Sequence, residues 1–176
     1  ISACLVGSEM CIRDRLVQGI RQLIETRLGI GALGYQQMDL LETPEQIFDR
    51  LCQDVREAKS SIHLETYIWF PGGRIDTLSE ALIDAAGRGV QVSLLIDHAG
   101  SRPFFRSRWR KRFIDAGIEV VPALPVRLWR ALAQRVDLRL HRKLVVIDGH
   151  IAYTGSMNMA DPSHFKKEAN VGQWVD

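Results

Sequence analysis

A chain of 176 residues with a hydrophobic share of 46% has the length and apolar content of one domain with its own core. Three cysteines (Cys4, Cys11 and Cys52) without a CxxC pair argue against a disulfide framework or a structural zinc site and fit a reducing compartment, and no run reaches the ~18 apolar residues needed to cross a bilayer. The net charge of +2 says little about partners, but residues 102–143 hold 12 Lys/Arg against three acids, leaving 11 bases against 18 acids elsewhere. An anionic ligand beside that stretch and a merely solvated basic face both fit this asymmetry.

The opening "ISACLVGSEMCIRDR" lacks the charged start of a signal peptide and resembles translated read-through at the end of a gene model. Residues 1–15 are set aside for that reason. Residues 16–41 form a helical lead-in, because "LVQGIRQLIETRLGI" has apolar residues at helical spacing. Residues 42–176 form the main domain, expected to be cut short at its C-terminal end because "VGQWVD" stops in a strand-like run. Within it, Thr43, Pro44 and Gln46 make a capping box for a helix that buries Ile47, Leu51 and Val55. "SIHLETYIWF" follows as a strand ending at Pro71-Gly72-Gly73. A second capping box, Thr77 to Glu80, starts the helix "LSEALIDAAGR", closed by Gly87 or Gly89. "VQVSLLID" is a strand, "FRSRWRKRFIDAG" a basic helix closing on Gly117, and "IEVV" a short strand. That alternation predicts an α/β layer fold with parallel strand pairs. Beyond it, "KLVVID" and "IAYTGS" read as an antiparallel hairpin turning at Asp148-Gly149-His150.

The chemistry concentrates in "LHRKLVVIDGHIAYTGSMN". Strand alternation would place His141 and Lys143 on one face, continued by Val145 and Ile147. An exposed sheet edge with no role is the alternative for a lone His-x-Lys. If the hairpin folds back, Gly155, Ser156 and Asn158 return toward His141, bringing neutral hydrogen-bond donors suited to phosphate oxygens. A phosphodiester is anionic and repels anionic nucleophiles, so its attack calls for local positive charge and a strong neutral nucleophile. An imidazole with a pKa of about 6.5 is largely neutral at pH 7 and can attack phosphorus.

This combination resembles the HKD motif of the phospholipase D superfamily. The run from Arg135 to Asp176, with "YIWFPGG", "AAGRGVQVSLLIDHAGS" and "FIDAGIEVV" upstream, is similar to the first catalytic half of a bacterial cardiolipin synthase over residues 30–176. The resemblance implies a layered α/β/α domain with a mixed, partly parallel sheet. It implies that His141 forms a phosphohistidine and that Lys143 binds the phosphate and offsets transition-state charge, with Ser156 and Asn158 assisting. Glu168 would bond the other ring nitrogen of His141 and fix its tautomer, with a surface glutamate as the alternative. Asp148 completes the motif's catalytic set. Five residues beyond Lys143, it lies too far along a strand to touch the same phosphate, so support or hairpin stabilisation is its expected role.

No metal or other cofactor is implied. The implied reaction transfers a phosphatidyl group from one phosphatidylglycerol to another and releases glycerol, at the bacterial cytoplasmic (inner) membrane. Family enzymes carry two HKD motifs, and the sequence holds no second H-x-K-x-x-x-x-D. Two alternatives stay open: a homodimeric phosphodiesterase or nuclease that pairs two copies of His141, and a non-catalytic binding module. A single half-site without its general-acid histidine is expected to be inactive alone. The arginines interleaved with Phe, Trp and Leu in "RPFFRSRWRKRF" and "PVRLWRALAQRV" fit an anionic membrane surface, nucleic acid, or an amphipathic segment packed on its own domain. Asp97, at a strand end, suits either a pocket or a loop and stays outside the catalytic set, while His63, His150 and His164 read as structural or exposed.

Overall fold

The computed structural model describes residues 18–29, 31, 36–125 and 139–165, and the chain divides into two units, residues 1–40 and 41–176. In the first, residues 18–28 are helical (α1). In the second, helix α2 (Pro44–Glu57) starts as its sequence dictates: the Thr43 hydroxyl accepts from Gln46 N, and the Gln46 side chain accepts from Thr43 N. Its apolar stripe buries Phe48, Leu51, Cys52 and Val55. Strand β1 (Ser61–Thr66) follows, then the short β2 (Trp69–Phe70), helix α3 (Arg74–Gly87) and strand β3 (Gln91–Asp97). Helices α4 (Arg102–Arg106) and α5 (Arg108–Asp115) precede β4 (Glu119–Ala123), the hairpin β5 (Leu144–Ile147) and β6 (Ile151–Thr154), and β7 (Met159–Ala160).

The main sheet has the order β4-β3-β1-β5-β6. β1, β3 and β4 run parallel, while β5 is antiparallel to both β1 and β6. The expected mixed, partly parallel sheet is therefore present. Alternation puts Ile62, Leu64, Val92, Leu94, Ile96, Val145 and Ile147 on one face, all buried in the core shared with α2 and α3. The opposite face carries exposed His63, Ala152 and Thr154, with His63 Nδ1 2.6 Å from Ser93 Oγ. Helices α2 and α3 and the aromatic residues of 104–113 share the core.

Three sequence expectations need correction. "SIHLETYIWF" is two strands, because the chain leaves the β1 ladder after Thr66 and pairs Trp69 and Phe70 with β7 instead. Helix α3 begins at Arg74, three residues before Thr77, with Gly73 as its N-cap. Its leading amide is satisfied from a distance: Arg74 N donates to Asp161 Oδ2 at 2.9 Å, a cap invisible to local sequence. The basic helix is broken at Ser107, whose hydroxyl accepts from Trp109 N and so restarts the chain as α5.

That break also decides the aromatic residues. Phe104 and Phe113 are buried against Trp69, with ring centroids 5.6 Å and 5.7 Å away, and Trp109 is buried against Phe113 (6.2 Å). Burying each such ring stabilises the fold by on the order of 2–3 kcal/mol. In "RPFFRSRWRKRF" these three rings therefore belong to the core rather than to a ligand surface. The counterpart segment "PVRLWRALAQRV" lies outside the described residues.

Candidate active site

The site grows from the point where β1 ends. Beyond Thr66, Tyr67 and Ile68 cross the C-terminal edge of the parallel strands and are fastened from both sides. On one side, buried Ser101 donates from Oγ to Tyr67 O (2.9 Å) and accepts from Trp69 N (2.8 Å). Gly100 packs so closely that a Cβ there would stand 2.5 Å from Tyr67 O and 2.8 Å from its ring. On the other side, Ile68 N donates to Asn158 Oδ1 (3.1 Å), and Ile68 O accepts from Met159 N (3.0 Å). Because a backbone N–H must meet an acceptor, this contact orients the Asn158 amide with Nδ2 as the end not engaged by Ile68.

His141 stands against this strap, its ring centroid 4.6 Å from that of Tyr67. Lys143 lies beside it: Nζ donates to His141 O at 2.7 Å and sits 6.0 Å from the Tyr67 ring centroid. His141 is exposed and Lys143 half-buried. Strand β5 starts only at Leu144, paired with Glu65, so Lys143 lies outside the ladder. His141 and Lys143 therefore meet through a folded-back lysine rather than through strand alternation. The hairpin register, Leu144 opposite Thr154, carries the following Gly155 and exposed Ser156 back toward the 141–143 end. Tyr67-Ile68 thus joins His141 and Asn158, which are 17 residues apart in sequence.

Asp148 stands apart from this group. It lies five residues beyond Lys143, about 16 Å along an extended chain. Its carboxylate accepts from the amides of Lys59 (2.9 Å), Ser60 (2.8 Å) and Ser61 (2.9 Å), and from the Ser60 hydroxyl (2.8 Å). These donors, the Ser61 amide foremost, hold its pKa well below the usual carboxylate range. The residue clamps the α2–β1 connection to the hairpin turn, where it adopts a positive φ of 52°. Glu168 lies outside the described residues.

Two residues that matter to this geometry were not in the sequence-derived set. Tyr67 supplies the wall for His141. Asp97, fully buried at the end of β3, accepts from Ala99 N (2.9 Å) and Gly100 N (2.8 Å) through Oδ1, and from Leu140 N (3.3 Å) through Oδ2. Arg139 Nη1 lies 3.8 Å from the same Oδ2. The loop 97–101 thereby holds both the strap carrying Tyr67 and the residue preceding His141. The available signal was a carboxylate ending a hydrophobic strand, followed by Gly-Ser.

A family model described as "Cardiolipin synthase, PLD-like domain" matches residues 51–174, a span that contains every element of this site. The chain belongs to that family. It is 47% identical over 161 residues to cardiolipin synthase A of Klebsiella pneumoniae, covering 92% of this chain and 33% of that protein. It is 50% identical over 155 residues to cardiolipin synthase A of Cronobacter sakazakii, covering 88% and 32%. The chain thus spans about a third of the length of the curated relatives it matches. Among solved structures, NucT from Helicobacter pylori superposes with a TM-score of 0.51 at 19% identity, covering 69% of this chain and 74% of NucT, a likeness of fold. Among the described residues no group of three or more His, Cys, Asp or Glu side chains could hold a metal ion, and no helix is long and apolar enough to cross a membrane.

Proposed function

We propose that this chain is one half-site of a cardiolipin synthase, acting at the bacterial inner membrane on phosphatidylglycerol. The observation that carries the proposal is the convergence of His141, Lys143 and Asn158 on the Tyr67-Ile68 strap. An imidazole nitrogen of His141 attacks the phosphorus; the N–P bond forms as the P–O bond to the departing glycerol breaks. A histidine from a second half-site, or from a second copy of this chain, delivers the proton to that glycerol. A hydroxyl of a second phosphatidylglycerol then displaces the phosphatidyl group and regenerates His141. Lys143 turns from the His141 backbone carbonyl to a non-bridging oxygen, assisted by Asn158 Nδ2 and Ser156. Glu168 orients the imidazole. Asp148 acts at a distance, as the clamp that sets the hairpin.

The test is trapping. In a chain carrying both halves, labelled phosphatidylglycerol should leave an acid-labile phosphohistidine that His141→Ala abolishes without loss of folding. Survival of the adduct in that variant would remove His141 as nucleophile. Cleavage of single-stranded DNA with no lipid transfer would establish the nuclease reading instead.

A further inference from the structure

Six cations lie between Arg102 and Arg112, and the structure divides them into two sets. Lys111 pairs with Asp115 (2.6 Å), Arg112 binds Glu80 through both nitrogens (2.5 and 2.6 Å), and Arg108 lies over the Trp109 ring (5.3 Å). The other three, Arg102, Arg106 and Arg110, have no acidic partner among the described residues. These three, spaced four apart, line a cavity of about 460 Å³ together with His98, Phe105, Val120 and Pro122. The cavity lies between α4/α5 and the edge strand β4, and His141 is not among its lining residues.

Three guanidiniums around one space, without an acidic partner among the described residues, repel each other and favour an anion, and guanidinium geometry suits phosphate oxygens. His98 stacks on Phe105 (5.0 Å), and its Nδ1 is buried without a hydrogen-bond partner among the described residues, an unsatisfied group of the kind found at ligand sites. The remaining lining, Phe105, Val120 and Pro122, is apolar. A free phosphate gains nothing from apolar walls, whereas the glycerol and first acyl carbons of a lipid do. Nucleic acid would want exposed aromatic platforms for its bases. Here Phe104, Trp109 and Phe113 are buried, and Phe105 is half-buried against His98.

We propose that the cavity lined by Arg102, Arg106, Arg110 and His98 binds the phosphate of an anionic phospholipid, at a second site separate from His141. The site rests on its own geometry; only the choice of lipid over other phosphates draws on the proposed function.

The test is an NMR titration of the whole 176-residue chain with dihexanoyl phosphatidylglycerol below its micelle concentration, beside inorganic phosphate and single-stranded DNA. The lipid should saturate and shift the amides of His98, Phe105 and Val120. Arg106→Gln should weaken it about tenfold, and Arg102→Gln/Arg106→Gln/Arg110→Gln should abolish it, because each arginine contributes charge-assisted bonds. The native amide spectrum reports folding of each variant. His141→Ala should leave the shifts of His98, Phe105 and Val120 unchanged, so failure at the cavity is read independently of phosphohistidine formation. Three results overturn the proposal: inorganic phosphate binding as tightly as the lipid, DNA binding the cavity more tightly with the same arginine dependence, or lipid shifts indifferent to the arginines.

Discussion

Ser101 offers the sharpest test of how the site is held. Its hydroxyl is the shared partner of Tyr67 O and Trp69 N, at 2.9 and 2.8 Å, in a fully buried position. Ser101→Ala deletes both bonds and leaves a buried backbone donor and acceptor without their partner. A net loss of about 1 kcal/mol per bond, plus part of the 1–3 kcal/mol for an unsatisfied buried group, predicts about 2–4 kcal/mol of destabilisation. With an m-value of about 1–3 kcal/mol/M, the urea midpoint should fall by roughly 1–2 M at unchanged m. The consequence reaches the site because Tyr67 is the wall against which His141 lies. Ring-current shifts on the His141 imidazole protons should move toward their unfolded values in the folded variant. A stability loss below about 0.5 kcal/mol, with unmoved His141 resonances, would refute the view that Ser101 holds the strap.

Two further substitutions test the remote supports. The folded-state pKa of Asp148 is depressed, so its contribution is present above its unfolded value of about 3.9 and lost as pH falls from there toward the lower folded value. Asp148→Asn should therefore be less stable than wild type at about pH 5, with the gap narrowing by about pH 2.5; equal gaps in urea midpoint at both pH values would contradict this. Gly73 takes a φ of +57°, and a Cβ there would collide with the Asp161 carboxylate that caps α3 and with the His164 ring. Gly73→Ala should cost about 1–3 kcal/mol in thermal unfolding, and an unchanged midpoint would show that this cap is dispensable.

Much of this protein was legible in the chain because the signals were local. The capping box at Thr43, the strand "VQVSLLID", the hairpin turn at Asp148-Gly149-His150 and the halt of the basic helix before Gly117 each depend on residues within a turn or two of one another. The residue types of the site were legible too, since the hairpin presents His141, Lys143, Ser156 and Asn158 within one stretch of sequence. What brings His141 and Asn158 to a common support was not. Tyr67-Ile68 comes from more than 70 residues upstream, and Ser101 and Asp97 tie it to the 139–141 segment across three strands. The same holds for Asp161, whose carboxylate starts a helix 87 residues earlier, and for Arg112, whose partner Glu80 is met only once α3 packs beside α5. Local sequence sets backbone preference and side-chain chemistry. Which buried donor meets which acceptor is decided by packing, because an unsatisfied polar group costs the same wherever along the chain its partner lies.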